Sequence, residues 1–486
     1  MTVSDYLKQI DDVIAAGPYD ATWESLGGRT TPRWYYQGKF GIFIHWGVYS
    51  VPAFGCEWYS RYLYDHRRKE YRHHLEHYGS PKDFGYKDFI PMFRGERFDA
   101  MRWVRCFKQA GAKFIMPVAE HHDGFAMYET DFNRWKAPAM GPCRDVLGEL
   151  KNACEQEGLT LCASTHRAEH YFFMNLGREI DSDVNDERFA DFYGPAVLRA
   201  DLGSTTMSPT TEDPTTPGPT EEWMTDWMVR TCELIDRYQP GSLYFDWWIH
   251  NRAFQPYLKK IAAYYYNRAS QWGREVTINF KHDAMPKGVG TFDVERGALT
   301  GISPIPWQTD TAIGRNSWGY VKDNAFKPAR QLICDLIDVV SKNGMLLLNI
   351  GPKPDGTFTE EESTVLEQMG AWLSVNGEGI YETTPWERFG EGEVNCTEGF
   401  FQDGAEKPFT AKDFRFTRKG ETLYAFWMRP EGEKATITSL KNRIFSSVTL
   451  LGYGEVAFQS TPNGLQITLP EAAAKDKPLC FKLGNL

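Results

Sequence analysis

The sequence has no Cys-x-x-Cys pair and none of the Cys/His spacings of a zinc site, although nine cysteines are scattered along its 486 residues. Their odd number and lack of pattern argue against a disulfide framework. Several lie inside apolar segments (Cys106, Cys154, Cys162, Cys334) and read as reduced core thiols of a cytoplasmic protein. No apolar run is long enough to span a bilayer. The opening MTVSDYLKQIDDV lacks a basic stretch leading into an apolar one, so neither a membrane partner nor a secretory leader is expected. Positive charge is also short: the net charge is −11, which argues against a nucleic-acid partner. What is present is an ordinary globular mixture, 42% hydrophobic and 24% charged, with 15% aromatic residues that suit a carbohydrate binder as well as a large core. The length exceeds that of a usual single domain and predicts two.

Short apolar runs recur, each with a polar group at its carboxyl end. GIFIHWG leads to His45, FIMPVAEHHDGF to His121 and His122, LTLCASTHRAEH to His166, and LYFDWW to Asp246. EVTINFKH leads to Lys281, TFDVERG to Glu295, IPWQTD to Gln308 and Asp310, and MLLLNIGP to Asn349. Parallel strands buried on both faces read as continuous apolar runs. Eight of them predict a (β/α)8 TIM-like barrel, whose site lies at the C-terminal ends of the strands. A doubly wound open sheet would place polar groups near one switch point, not at every strand end.

Helical patterns separate the runs, at 98–112, 145–158, 221–238, 256–273, 329–344 and 359–379. The Thr- and Pro-rich segment 201–220 is too polar to pack and is expected as an extended loop after the third strand, a spacer or a lid. The His- and Arg-rich run 66–81 reads as a solvated helix. From residue 386 onward short, partly alternating strands predict a C-terminal β-sandwich, dividing the chain into 1–385 and 386–486. The sandwich shows no catalytic constellation and is read as structural support.

An unpaired carboxylate at the mouth of a buried strand is costly to desolvate, so it is either paired or kept for chemistry. Two carboxylates on one barrel face can flank a glycosidic bond, one attacking the anomeric carbon and the other protonating the leaving oxygen. Asp246 reads as the nucleophile and Glu295, with its longer reach, as the acid/base; Glu295 could instead simply pair with Arg296. His45, His121 and His122 can bond sugar hydroxyls, and Trp58, Trp307 and Trp248 offer flat apolar faces. A metal at His121, His122 and Asp123 is disfavoured, because adjacent residues on a strand point to opposite faces unless the strand breaks there. No cofactor or metal is expected.

GIFIHWGVYSVPAFGCEWYS, AEHHDGFAMYETDFNRW, LYFDWW, SWGY at 317–320 and DVVSKNGMLLLNIGPKPDG occur in this order. Together they resemble the α-L-fucosidases of glycoside hydrolase family 29 over about residues 30–390. The resemblance implies a retaining exo-α-L-fucosidase with a barrel and a C-terminal β-sandwich, acting on terminal fucosyl residues of glycans or glycosides by double displacement. It places the nucleophile on Asp246 and sugar contacts on His45, Glu57, Trp58, His121 and His122. Two departures stand out: Ser164-Thr165-His166 replaces a common Tyr-His-Ser, offering His166 as a sugar contact, and Lys281 stands where Arg is common. Glu295 matches the pattern of one subgroup, with Glu57 and Glu169 as rivals. An α-L-galactosidase or a non-catalytic glycan-binding protein on the same fold are the alternatives, and a homo-oligomer is left open.

Overall fold

The computed structural model describes residues 2–29, 31–198, 218–403 and 407–484. Eight parallel strands form the barrel: Phe40–Ile44, Phe114–Glu120, a split third strand (Thr160–Leu161 and Ala163–Thr165), Ser242–Phe245, Thr277–Phe280, Thr291–Phe292, Trp307–Ala312 and Gly344–Ile350. Each pairs with its sequence neighbour, the first pairs with the last, and the ring closes between the sixth and seventh through a single parallel bridge, Asp293 to Gln308. The strands are buried along nearly their whole length because side chains fill the interior on one face and helices cover the other. Phe43, Phe114, Met116, Val118, Tyr244, Met345 and Leu347 pack inside the ring, so the barrel is a filled core and not a pore.

Helices follow the expected pattern at Ala100–Gln109, Val146–Glu157, Glu221–Tyr238, Gln255–Trp272, Ala329–Ser341 and Glu360–Asn376. Asp145 caps the second, its side chain accepting from the Gly148 amide, and Gly158 ends it at φ 75°. Among the described residues no helix follows the fifth or sixth strand; a turn and an extended segment take its place. The stretch 66–81 contains the expected helix, Lys69–His77. The proposed loop 201–220 lies outside the described residues except for 218–220, of which Thr220 caps the third barrel helix.

The C-terminal strands begin at Thr384 and form a six-stranded and a three-stranded antiparallel sheet enclosing their own apolar core, with Phe416, Trp427, Ile467 and Phe481 at its centre. The other side of the larger sheet joins the barrel, since Tyr424, Phe426 and Cys480 belong to the main core. A buried ion pair crosses the junction: the Arg415 guanidinium donates to Asp338, which Lys342 also contacts at 2.6 Å.

Candidate active site

The strand ends converge on one pocket of about 210 Å³, of a size for a single sugar ring. His45, Glu57, Trp58, His121, His122, His166, Asp246, Lys281 and Glu295 all line it. Trp307 does not. It starts the seventh strand at the barrel's opposite end, packs on Val294 and Val339, and spends its indole N–H on the Lys342 carbonyl at 3.0 Å. Gln308 is likewise interior, donating to Asp293 at 2.6 Å beneath the pocket. Trp248 is core, wedged against Phe172 and Phe254.

Asp246 follows the fourth strand directly, and three nitrogens surround its carboxyl. Lys281 Nζ lies 3.0 Å from Oδ1, while His166 Nδ1 and His122 Nε2 lie 3.1 and 3.3 Å from Oδ2. Burial works against its charge, but the Lys281 ammonium and the imidazoles outweigh burial and hold the carboxyl well below the usual aspartate range. The same Lys281 ammonium contacts Glu295 and lies 3.8 Å from Asp310. For Glu295 the balance reverses: desolvation dominates, Lys281 only partly offsets it, and the carboxyl is pushed up to about 7. The indole N–H of Trp247 also donates to Glu295, fixing its orientation. Two carboxyls beside one cation thus differ in proton affinity, which is how a site separates an acid from a nucleophile.

The imidazoles are oriented by their outer partners. His45 is neutral, its pKa lowered by burial and by His166. Its Nδ1–H donates to Asn349 Oδ1 at 2.6 Å, because the Asn349 amide nitrogen is committed to the Trp318 carbonyl. That leaves Nε2 of His45 as an acceptor. His166 is also kept neutral by burial; with Ser164 Oγ 2.7 Å from Nε2, its Nδ1–H is free to face Asp246. His122 alone is raised, since Glu169 and Asp246 together overcome burial. The second strand ends at Glu120, so His121 and His122 sit in a break and both reach the pocket. His45, His121 and His166 bring one ligand atom each within 4.8 Å of one another, as do His122, His166 and Asp246.

Glu57 accepts from Ser317 Oγ and the Trp318 amide, both at 2.9 Å. Glu120, one residue before the histidines, is structural: its two oxygens are taken by Arg167 at 2.7 Å and Arg230 at 2.6 Å. Glu169 lines the pocket beside His122, at 3.8 Å from its Nδ1, and burial pushes it up to about 7. Sequence reasoning missed Trp318, which stacks on His45 at 5.3 Å, and Tyr244, whose hydroxyl donates to Asp310 at 2.7 Å. The SWGY motif could have revealed the first. Trp247 was legible as the neighbour of Asp246; Phe401, at the pocket's mouth, was not.

A small pocket at a barrel's C-terminal face, with one carboxyl held low and its neighbour pushed up beside the same ammonium, is the arrangement of a glycoside hydrolase. The chain belongs to the α-L-fucosidase family: residues 7–378 match the model described as alpha-L-fucosidase, and 406–483 match the alpha-L-fucosidase C-terminal domain. It is 29% identical to human plasma alpha-L-fucosidase, with 96% of this chain and 91% of that one aligned. Human tissue alpha-L-fucosidase is 28% identical over 98% and 94% of the two chains. The Thermotoga maritima alpha-fucosidase solved in complex with fucose superposes with a TM-score of 0.75 at 27% identity, covering 96% of this chain and all of that one.

Proposed function

We propose that the protein removes terminal α-L-fucosyl residues by a retaining double displacement, with Asp246 as nucleophile and Glu295 as acid/base. The observation that carries this reading is the single Lys281 ammonium shared by the two carboxyls. Two groups that bond one nitrogen are at most about 6 Å apart. That spacing supports the direct attack of a retaining enzyme over the wider gap that an inverting one keeps for water.

In the first half-reaction Asp246 attacks C1 while protonated Glu295 gives its proton to the glycosidic oxygen. The C–O bond to the leaving group breaks and a β-linked fucosyl ester forms. Asp246 thereby loses its charge and Glu295 gains one, so Lys281 passes from stabilising one carboxylate to stabilising the other. In the second half-reaction Glu295 removes a proton from water, the water oxygen replaces Asp246 at C1, and α-L-fucose leaves. His45 Nε2, the free edge of Glu57 and the Trp58 face supply the contacts to the sugar ring, with His121 and His122 beside them.

All nine cysteines are free, five of them buried, which supports a reducing, cytoplasmic setting. The test is proton NMR of the first-formed sugar from an α-L-fucoside, followed by a screen of defined fucosyl linkages. Early α-fucose agrees with the mechanism; early β-fucose removes the covalent step. Faster release of L-galactose than of L-fucose would reassign the substrate.

A further inference from the structure

Phe401 is the only phenylalanine or tryptophan among the described residues with an exposed side chain, at 50% relative exposure. It sits between the first two strands of the C-terminal sheet, Thr384–Glu391 and Phe414–Lys419, yet it lines the mouth of the barrel pocket. The segment around it is stitched to the strand end that bears Glu295. The Gly399 amide donates to the Ala298 carbonyl at 3.2 Å, Phe401 to Glu295 at 2.9 Å, and Gln402 and Asp403 to Arg296 at 2.7 and 2.8 Å. Asp403 anchors the far side, contacting Lys327 at 2.5 Å and Thr311 at 2.7 Å.

This anchoring holds Phe401 at φ 58°, a backbone region that a bulky residue seldom adopts. An aromatic side chain kept half in water on a strained backbone has no packing reason to be there, and such outliers cluster at binding sites. Its ring lies nearly parallel to that of Trp247, 6.0 Å between centroids and 19° between planes, with Phe400 backing the same indole at 5.2 Å. Trp247 in turn donates to the Glu295 carboxyl.

We infer that Phe401 and Trp247 form the subsite for the leaving group, stacking on the apolar C–H face of the sugar to which fucose is attached. The geometry requires it: the leaving oxygen must lie within hydrogen-bond reach of Glu295, so the ring bearing that oxygen falls against the aromatic wall beside it. Phe401 is a specificity residue here, supplied to the barrel by the C-terminal part of the chain.

The inference rests on the proposed glycosidase reading, and the experiment separates the two. kcat/KM is measured for a fucosyl disaccharide and for α-L-fucosyl fluoride, whose leaving group is a single atom, in wild type, Phe401→Ala and Phe401→Trp. In Phe401→Ala the disaccharide-to-fluoride ratio is expected to fall about ten-fold, the scale of one aromatic stacking contact, and Phe401→Trp is expected to restore it. A ratio that stays put, whether both rates fall together or neither does, overturns the inference and leaves the glycosidase reading standing. Failure of the wild type to cleave either substrate removes both.

Discussion

Lys281 Nζ stands 3.0 Å from the Oδ1 of Asp246, buried at the centre of the site. A lysine is a point charge that three carboxyls can share, whereas a guanidinium would commit its planar fork to one of them. Its own pKa is raised because Asp246, Glu295 and Asp310 together overcome burial. Lys281→Met removes the cation that holds both catalytic carboxyls down, so both pKa values rise. Turnover is expected to fall by roughly 10²-fold. The alkaline limb of kcat/KM should move above its wild-type position, and a new acid limb should appear as Asp246 protonates. Lys281→Arg keeps the charge but commits its planar fork, so it should recover only part of the activity lost in Lys281→Met; a profile unmoved in Lys281→Met would show that the ammonium does not govern the pair.

Asp246→Gly is expected to fold normally and lose several orders of magnitude in turnover. Azide should restore part of it, occupying the vacated space and attacking C1 from the nucleophile's side to give β-fucosyl azide, detectable by NMR. Turnover near the wild-type level would take Asp246 out of the reaction.

The donor form of Glu295 is the protonated one, and its carboxyl is pushed up to about 7. The sign follows: kcat/KM should be flat below pH 7 and fall as pH rises through it, approaching ten-fold per unit. Asp246, held low, adds no acid limb in the neutral range. Glu295→Gln should abolish the alkaline limb and slow substrates with poor leaving groups far more than aryl fucosides with good ones. Equal slowing of both would transfer the acid role to Glu169, which has a similarly raised pKa.

Arg415→Ala should leave the sugar pocket intact but strand Asp338, buried at the junction of barrel and C-terminal sheets. Removing one partner of a buried pair costs about 3–5 kcal/mol. Calorimetry should show the unfolding temperature lowered by several degrees; a shift of less than one degree would mean that Lys342 alone satisfies the carboxylate.

Much of the barrel was legible because burial on both faces leaves an apolar run, and the polar residue that ends each run marks the mouth. His45, His166, Asp246, Lys281 and Glu295 were found on that basis, and all line one pocket. The same logic misled at Trp307 and Gln308. Gln308 sits within the run it was thought to end, and Trp307, read as a face for the sugar, starts that run, because the seventh strand extends from Trp307 to Ala312. A run's apolar composition does not say where its pairing stops. The pairings behind the site were illegible for a different reason: Asn349 orients His45, and Ser317 holds Glu57, through contacts that span 304 and 260 residues of sequence.

Which residue types end the strands can be read along the chain, and with them the crowding of carboxylates and imidazoles at one face of a barrel. Their proton affinities depend on the folded surroundings. Asp246 and Glu295 are both acids at strand ends, yet one is held low and the other pushed up because of how buried cations and desolvation are distributed around them. The tertiary structure also decided that a phenylalanine more than a hundred residues beyond Glu295 would stand beside it, since chain folding, not sequence distance, sets which groups share a low-dielectric space.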